Sequence, residues 1–272
     1  MVVTFFVVPL GLVGWMSLHR WPLLGTPTIN APDNYTAATG DSLLRSATWF
    51  TVKYTLVVTP LLFCLALAMA LLVQHRRRGT GVVRTAFLLP MAVGFASASV
   101  LFLGLLSDEI GPVTGALTRL GLVDGYVSWV SGSPGSALGA SVVLVLWRFG
   151  GFMMLLFLVG LQAIPTEVYE AARLDGASRR QILFRITLPL LRPTLALVLT
   201  LIVTGSLLAF DQFWILTRGG PDNSTTSLVM VVYRNAFVRF DLGSAAAVSI
   251  LLLAGLLAIN VVQLGVLRRR SR

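Results

Sequence analysis

Apolar residues along the 272-residue chain run in long blocks separated by polar segments, without the alternation of a half-buried strand. A helix needs about 20 predominantly apolar residues to cross the hydrocarbon core of a bilayer. Six blocks meet or approach that length: 1–18, 49–73, 83–106, 136–161, 191–217 and 244–267. The pattern predicts an all-α, polytopic integral membrane protein with six transmembrane helices, forming one domain over 1–272. The first block has no basic residue ahead of its apolar run and no small-residue cleavage site around Trp15 to His19. It therefore reads as a span and not as a secretory signal peptide. It starts at Met1 without a polar stretch before it, which leaves room for a longer natural chain.

Segments 19–48, 107–135 and 218–243 are rich in Gly, Pro, Ser, Thr and Asn and read as loops with short helices at most. Arginines are distributed unevenly among the connections. Arg76, Arg77, Arg78 and Arg84 lie on one side, with Arg173, Arg179, Arg180, Arg185 and Arg192, and with Arg268, Arg269, Arg270 and Arg272 at the end, thirteen in all. The opposite side holds six, Arg20, Arg45, Arg119, Arg218, Arg234 and Arg239, while Asp33, Asp41, Asp108, Glu109, Asp124, Asp222 and Asp241 share those same loops. Cytoplasmic loops retain Lys and Arg, so both termini are predicted to be cytoplasmic.

Composition supports the membrane reading. Hydrophobic residues make up 56% of the chain and charged residues 12%, against about 25% charged in soluble domains. A net charge of +10 would by itself admit nucleic acid as a partner, but sorted by loop the excess records membrane orientation. Lys53, the single lysine, sits among Trp49, Phe50, Thr51, Val52 and Tyr54 with no glycine before it, so no phosphate-binding P-loop is present. Cys64 has no second cysteine to pair with, and His19 and His75 are too few and too far apart to suggest a metal site.

The connection 162–190 is patterned as two helices around a glycine. Thr166 is placed to cap a helix Glu167 to Leu174 whose acids fall in the first turn, where the helix dipole favours them. Gly176 ends it. Ser178 and Gln181 fit a capping box for a second helix running Arg179 to Leu188, with Pro189 and Pro193 at its junction with the fifth span. Small residues Ala171 and Ala172 beside Glu170 make the first helix approachable by a partner. The same composition also suits an amphipathic connector lying on lipid headgroups.

The order Glu170-Ala171-Ala172, then Gly176, then Ile186-x-Leu188-Pro189 resembles the EAA loop of permease subunits in bacterial ATP-binding-cassette importers. The surrounding residues, LQAIPTEVYEAARLDGASRRQILFRITLPLLRPT, look like the sugar and polyol branch. Phe210 to Pro221, followed by Tyr233-Arg234-Asn235-Ala236-Phe237, is similar to the permease type represented by the maltose and glycerol-phosphate first subunits. The similarity implies a type I ABC importer transmembrane domain in the bacterial inner membrane, importing a carbohydrate or polyol. Implied partners are a second permease subunit, two copies of a cytoplasmic ATPase that carries the ATP and magnesium, and an extracytoplasmic solute-binding protein. The chain itself would hold no cofactor, no metal and no catalytic residue, and would contact lipid and a sugar substrate but no nucleic acid. Glu170, Ala171, Ala172, Asp175, Gly176, Ile186, Leu188 and Pro189 are expected to couple to the ATPase. Gly219, Gly220 and Pro221, with the 19–48 and 107–135 loops, are expected to meet the binding protein. A self-sufficient secondary transporter would need ion-coupling carboxylates or broken helices in paired halves, and a scaffold without transport would leave the 162–190 loop unexplained.

Charged groups within spans are costly and face a cavity or a partner. Arg148 and Asp211 are either satisfied by neighbouring helices or water, or touch substrate; they pair only if the arginine reaches outward. Lys53 is expected to snorkel to the headgroups. On helical spacing Ser206, Phe210, Phe213 and Trp214 lie along adjoining faces of the fifth span, where an aromatic ring can cover the apolar face of a sugar or simply pack against neighbouring helices.

Overall fold

The computed structural model describes residues 1–22, 24–74, 78–107, 111–123 and 127–269, with the backbone alone for 264 and 266–269. His75, Arg76, Arg77, Asp108, Glu109, Asp124, Arg270 and Arg272 lie outside the described residues, as do the side chains of Arg268 and Arg269.

Among the described residues four helices are long and apolar enough to cross a membrane: Ser42–Val73, Pro134–Gln162, Arg192–Thr217 and Leu242–Gln263. The predicted span 83–106 is not one straight helix. Thr80–Ala92 and Phe95–Leu105 are bent by 96° at a short break. Pro90 lies in the last turn of the first piece, Val93 is extended with ψ 128°, and its N–H returns to the Pro90 carbonyl at 3.3 Å. A proline inside a helix withholds one backbone donor and crowds the preceding turn, and Gly94 then supplies no side chain to hold a continuation. The first predicted span is helical over Val3–Ser17, which is shorter than a bilayer core requires. The expected six spans are therefore four full helices, one bent pair and one short apolar helix.

The described residues divide into two compact units, one drawn from 1–55, 99–141 and 206–259, the other from 56–98, 142–205 and 260–269. In the first unit, Ala38, Leu44, Ala47, Val231 and Val248 form a buried cluster, and the Thr51 hydroxyl accepts the N–H of Leu228 at 3.1 Å. A two-stranded antiparallel ribbon pairs His19–Arg20 with Thr28–Ile29. Buried Asn34 donates to the carbonyls of Ser17 and His19 at 2.9 and 3.0 Å, which closes the polar backbone left beyond the first helix.

In the second unit, close approach between helices depends on glycines. A Cβ on Gly151 would overlap the carbonyl oxygen of Phe87, and one on Gly160 would overlap the Thr194 hydroxyl and lie 2.8 Å from Leu191 Cδ1. Between membrane helices association relies on such contact at small residues, because lipid tails remove the hydrophobic incentive. Arg84 donates to the Val73 carbonyl at 2.6 Å and so satisfies the C-terminal end of Ser42–Val73.

Replacing Gly151 with Ala is expected to cost about 1–3 kcal/mol, the scale of overpacking, seen as a lower melting temperature of the detergent-solubilised protein. Gly139→Ala, where no atom stands within 4 Å of an added Cβ, serves as the neutral control.

Candidate functional site

The 162–190 connection lies wholly in the second unit. Its first helix is Thr166–Leu174, with Pro165 as the residue before it and no side-chain cap. Thr166 is thus the first helical residue and not the cap that its chemistry suggested. The C-terminus is closed as expected at Gly176, where φ is 76°. The N–H of Ala177 reaches the Ala172 carbonyl at 2.9 Å and that of Gly176 reaches the Arg173 carbonyl at 3.1 Å, the paired bonds of a Schellman cap. Ser178 and Gln181 then form the capping box, with Ser178 N–H to Gln181 Oε1 at 2.7 Å and Gln181 N–H to Ser178 Oγ at 3.3 Å.

Beyond the box the backbone departs from the expected α-helix. Ile182–Thr187 is π-helical and Leu188–Leu190 resumes α geometry, and the turn at Leu191 that separates this segment from the helix starting at Arg192 lies between Pro189 and Pro193. Ile186, Leu188 and Pro189 are half-buried. The hydroxyls of Thr187 and Tyr169 lie 3.4 Å apart and tie the two halves of the connection together.

Exposure separates the motif residues. Glu170, Ala171, Asp175 and Gly176 are open, whereas Ala172 is buried within its own unit. Ala172 therefore packs inward, and Ala171 is the small residue left on the open face. Two apolar residues that the motif does not contain stand out beside it: Leu174 is 89% exposed and Phe184 58%. Their signal in the sequence is an apolar residue on an otherwise charged helix end, which is visible only once the helix faces are known.

The fifth span is interrupted. Its α-helix ends at Leu207, Leu208–Phe210 are non-helical, and Gln212–Thr217 is π-helical. Bonds from Ala209 N–H to Ser206 carbonyl and from the N–H groups of Phe213 and Trp214 to Phe210 carbonyl bridge the break. Regular helical spacing fails here, and Phe213 does not share a face with Phe210 and Trp214. It is fully enclosed, edge-on to Phe50 and Tyr54 with ring centroids 4.9 Å away in each case. Half-buried Phe210 and Trp214 instead join a row with Tyr233 and Phe237, with successive centroids 5.8, 4.6 and 5.0 Å apart. Ser206 is buried, and Asp211 is half-buried at the head of the π-helical turn.

Gln212, which spacing did not single out, is 2% exposed; its amide donates to the Tyr54 hydroxyl at 3.2 Å while its Oε1 has no partner among the described residues. Arg148, in the second unit, holds its guanidinium 5.1 and 4.8 Å from the ring centres of Phe95 and Phe149, a cation–π arrangement that offsets part of its burial cost.

The Gly219-Gly220-Pro221 turn is held from within. Gly219 has φ 81°, and a Cβ there would stand 2.7 Å from the Thr226 hydroxyl and 2.9 Å from Arg234 Nη2. The hydroxyls of Thr217 and Thr225 lie 2.7 Å apart, and Thr225 also donates to the Gly220 carbonyl at 2.8 Å. Thr225, Thr226 and Ser227 are fully buried. Leu106, Ser107, Ser131, Arg218, Pro221 and Asp222 line part of a concavity of about 540 Å³ that joins this turn to residues of the 107–135 segment.

Residues 63–272 match the family of binding-protein-dependent transport system inner membrane components. The chain belongs to this family. It is accordingly a multi-pass inner-membrane component of such a transport system. It is 34% identical, over 88% of its length and 77% of the relative, to the sulfoquinovosyl glycerol transport system permease protein SmoG of Agrobacterium fabrum. It is 35% identical, over 99% of its length and 90% of the relative, to the trehalose/maltose transport system permease protein MalF of Thermococcus litoralis. The sn-glycerol-3-phosphate transport system permease protein UgpA of Escherichia coli is 32% identical over 96% of this chain and 88% of that one. A chain of the bacterial alginate ABC transporter, crystallised with a periplasmic protein carrying an alginate pentasaccharide, has the same fold. Its TM-score is 0.87 at 21% identity, covering 100% of this chain and 91% of that one. The fold extends to the MetNI methionine transporter, with a TM-score of 0.57 at 19% identity over 85% of this chain and 97% of that one.

Phe213→Ala is expected to cost about 3–5 kcal/mol as a buried aromatic deletion, read by thermal denaturation. Phe237→Ala, at a side chain 65% exposed, should shift the melt far less.

Proposed function

We propose that this protein is the permease subunit of an ABC importer for a carbohydrate or related polyol, forming half of a translocation pathway with a second permease. The observation that carries the coupling role is the solvent-open helix Thr166–Leu174, closed at its C-terminus by a Schellman cap and presenting Glu170 and Ala171 beside the exposed Leu174. A helix fixed at its end by a Schellman cap and tied by Tyr169 to Thr187 can transmit force without unravelling, as a connector to a separate motor subunit must. Two copies of a cytoplasmic ATPase would supply ATP and magnesium, with no catalytic residue on this chain. An extracytoplasmic binding protein would deliver ligand near Gly219 to Pro221. Both termini then face the cytoplasm, in line with the arginine-rich loops.

The pathway reading rests on the interruption at Leu208–Phe210. Non-helical backbone at membrane depth is tolerated where it is buried in protein or lines a cavity, and broken helices recur at transport sites. Relatives named for sulfoquinovosyl glycerol, trehalose and maltose, and glycerol 3-phosphate support a polyhydroxylated substrate.

Glu170→Lys should abolish copurification of the ATPase subunits with the permease, measured by affinity pull-down of the assembled transporter; retention at the wild-type level would count against the coupling role. Phe210→Ala is expected to lower uptake into proteoliposomes while leaving assembly and ATP hydrolysis intact. An unchanged uptake rate would remove Phe210 from the pathway.

A further inference from the structure

A second concavity in the first unit is assigned no role by the family pattern. Trp214, Arg218, Arg234, Val238 and Arg239 line a cleft of about 650 Å³, within the range of small-ligand pockets, roughly 300–1,000 Å³. Both of its walls are π-helical. Trp214 comes from Gln212–Thr217, and Arg234 and Val238 come from Arg234–Val238, with Arg218 and Arg239 as the residues that cap the two segments. Such wide turns are rare and concentrate at functional sites.

Two of the three arginines are held in place without being neutralised. Arg234 donates to Asn223 Oδ1 at 2.8 Å and Arg239 to Asn235 Oδ1 at 3.3 Å. Both acceptors are uncharged amides, and among the described residues no carboxylate forms an ion pair with any of the three arginines. Nearby Asp241 is occupied in accepting the N–H of Ser244 at 3.0 Å. Three guanidinium groups lining one cleft repel one another, and they belong to loops on the side of the membrane where arginine is otherwise sparse. Guanidinium forks match the geometry of an oxyanion bound through two parallel hydrogen bonds, and those of Arg234 and Arg239 are oriented in advance by their amide partners. Trp214 adds a ring continuous with the Phe210 and Tyr233 row.

We infer that this cleft binds the anionic group of a saccharide or polyol substrate, a carboxylate, sulfonate or phosphate, with the sugar body against Trp214. The inference rests on the importer reading above and narrows its substrate class to charged carbohydrates.

The test uses the complete transporter in phosphatidylcholine nanodiscs, with glucose 6-phosphate and uncharged glucose as probes in equilibrium binding. Glucose 6-phosphate should bind about tenfold more tightly than glucose, the scale of one charge-assisted hydrogen bond, and inorganic phosphate should compete with it. The double variant Arg218→Gln, Arg239→Gln, at two exposed positions, should erase that preference by bringing glucose 6-phosphate binding down to the level of glucose, with the melting temperature of the complex at the wild-type value. Equal binding of the two probes, absence of glucose 6-phosphate binding, or an unaltered preference in the variant would overturn the proposal. So would a preference that appears only when phosphatidylglycerol is added, which would assign the cleft to a lipid headgroup. Loss of binding-protein-stimulated hydrolysis with glucose 6-phosphate binding intact would assign it to protein carboxylates and overturn it too. Copurification of the ATPase is scored on the wild-type complex before either probe is added, so failure of the importer reading is seen separately from failure of the anion site.

Discussion

A polypeptide in hydrocarbon must satisfy its own backbone hydrogen bonds, because an unpaired amide has no water to turn to. That constraint explains why apolar blocks here become helices, and it gives weight to the places where helices stop. Val93 returns its N–H to Pro90, and the groups around Leu208–Phe210 are bridged to Ser206 and Phe210. Each departure from the helix is therefore a local solution to the same bonding requirement. The second brings Gln212, Phe210 and Trp214 onto one short stretch with different fates: an amide buried against Tyr54, and two rings in a half-buried aromatic row.

Packing follows from the same environment. Without water to drive apolar surfaces together, contact area has to come from close approach, and the glycines at 151 and 160 allow backbone and side chains of neighbouring helices into van der Waals range. Aromatic side chains fill the larger spaces. Phe213 meets Phe50 and Tyr54 edge-on in the first unit, as Phe63 meets Phe157 in the second at 5.2 Å. The cation–π placement of Arg148 over Phe95 and Phe149 uses the same ring chemistry to hold a charge within a span.

Outside the apolar helices, rigidity comes from caps and buried hydroxyls. The 162–190 connection is pinned by a Schellman cap, a capping box and the Tyr169 to Thr187 contact. The Gly-Gly-Pro turn is pinned by Thr217, Thr225 and the left-handed Gly219. Both are connections whose shape would otherwise be averaged over many conformers, and both are where the proposed function puts contacts with other proteins.

The amino-acid sequence determined the apolar blocks, the arginine asymmetry, the end of the first connecting helix at Gly176 and the capping box at Ser178. These are legible because hydropathy, charge and capping are local properties, set by residues within a turn or two of one another. Only the tertiary structure decided that the 83–106 block bends by 96° at Val93–Gly94, since hydropathy carries length but no direction. It likewise turned Ala172 and Phe213 inward and gathered Arg218, Arg234 and Arg239 around one cleft. Those outcomes depend on π-helical turns that break the 3.6-residue spacing and on contacts between segments distant in sequence, and neither leaves a period that can be read along the chain.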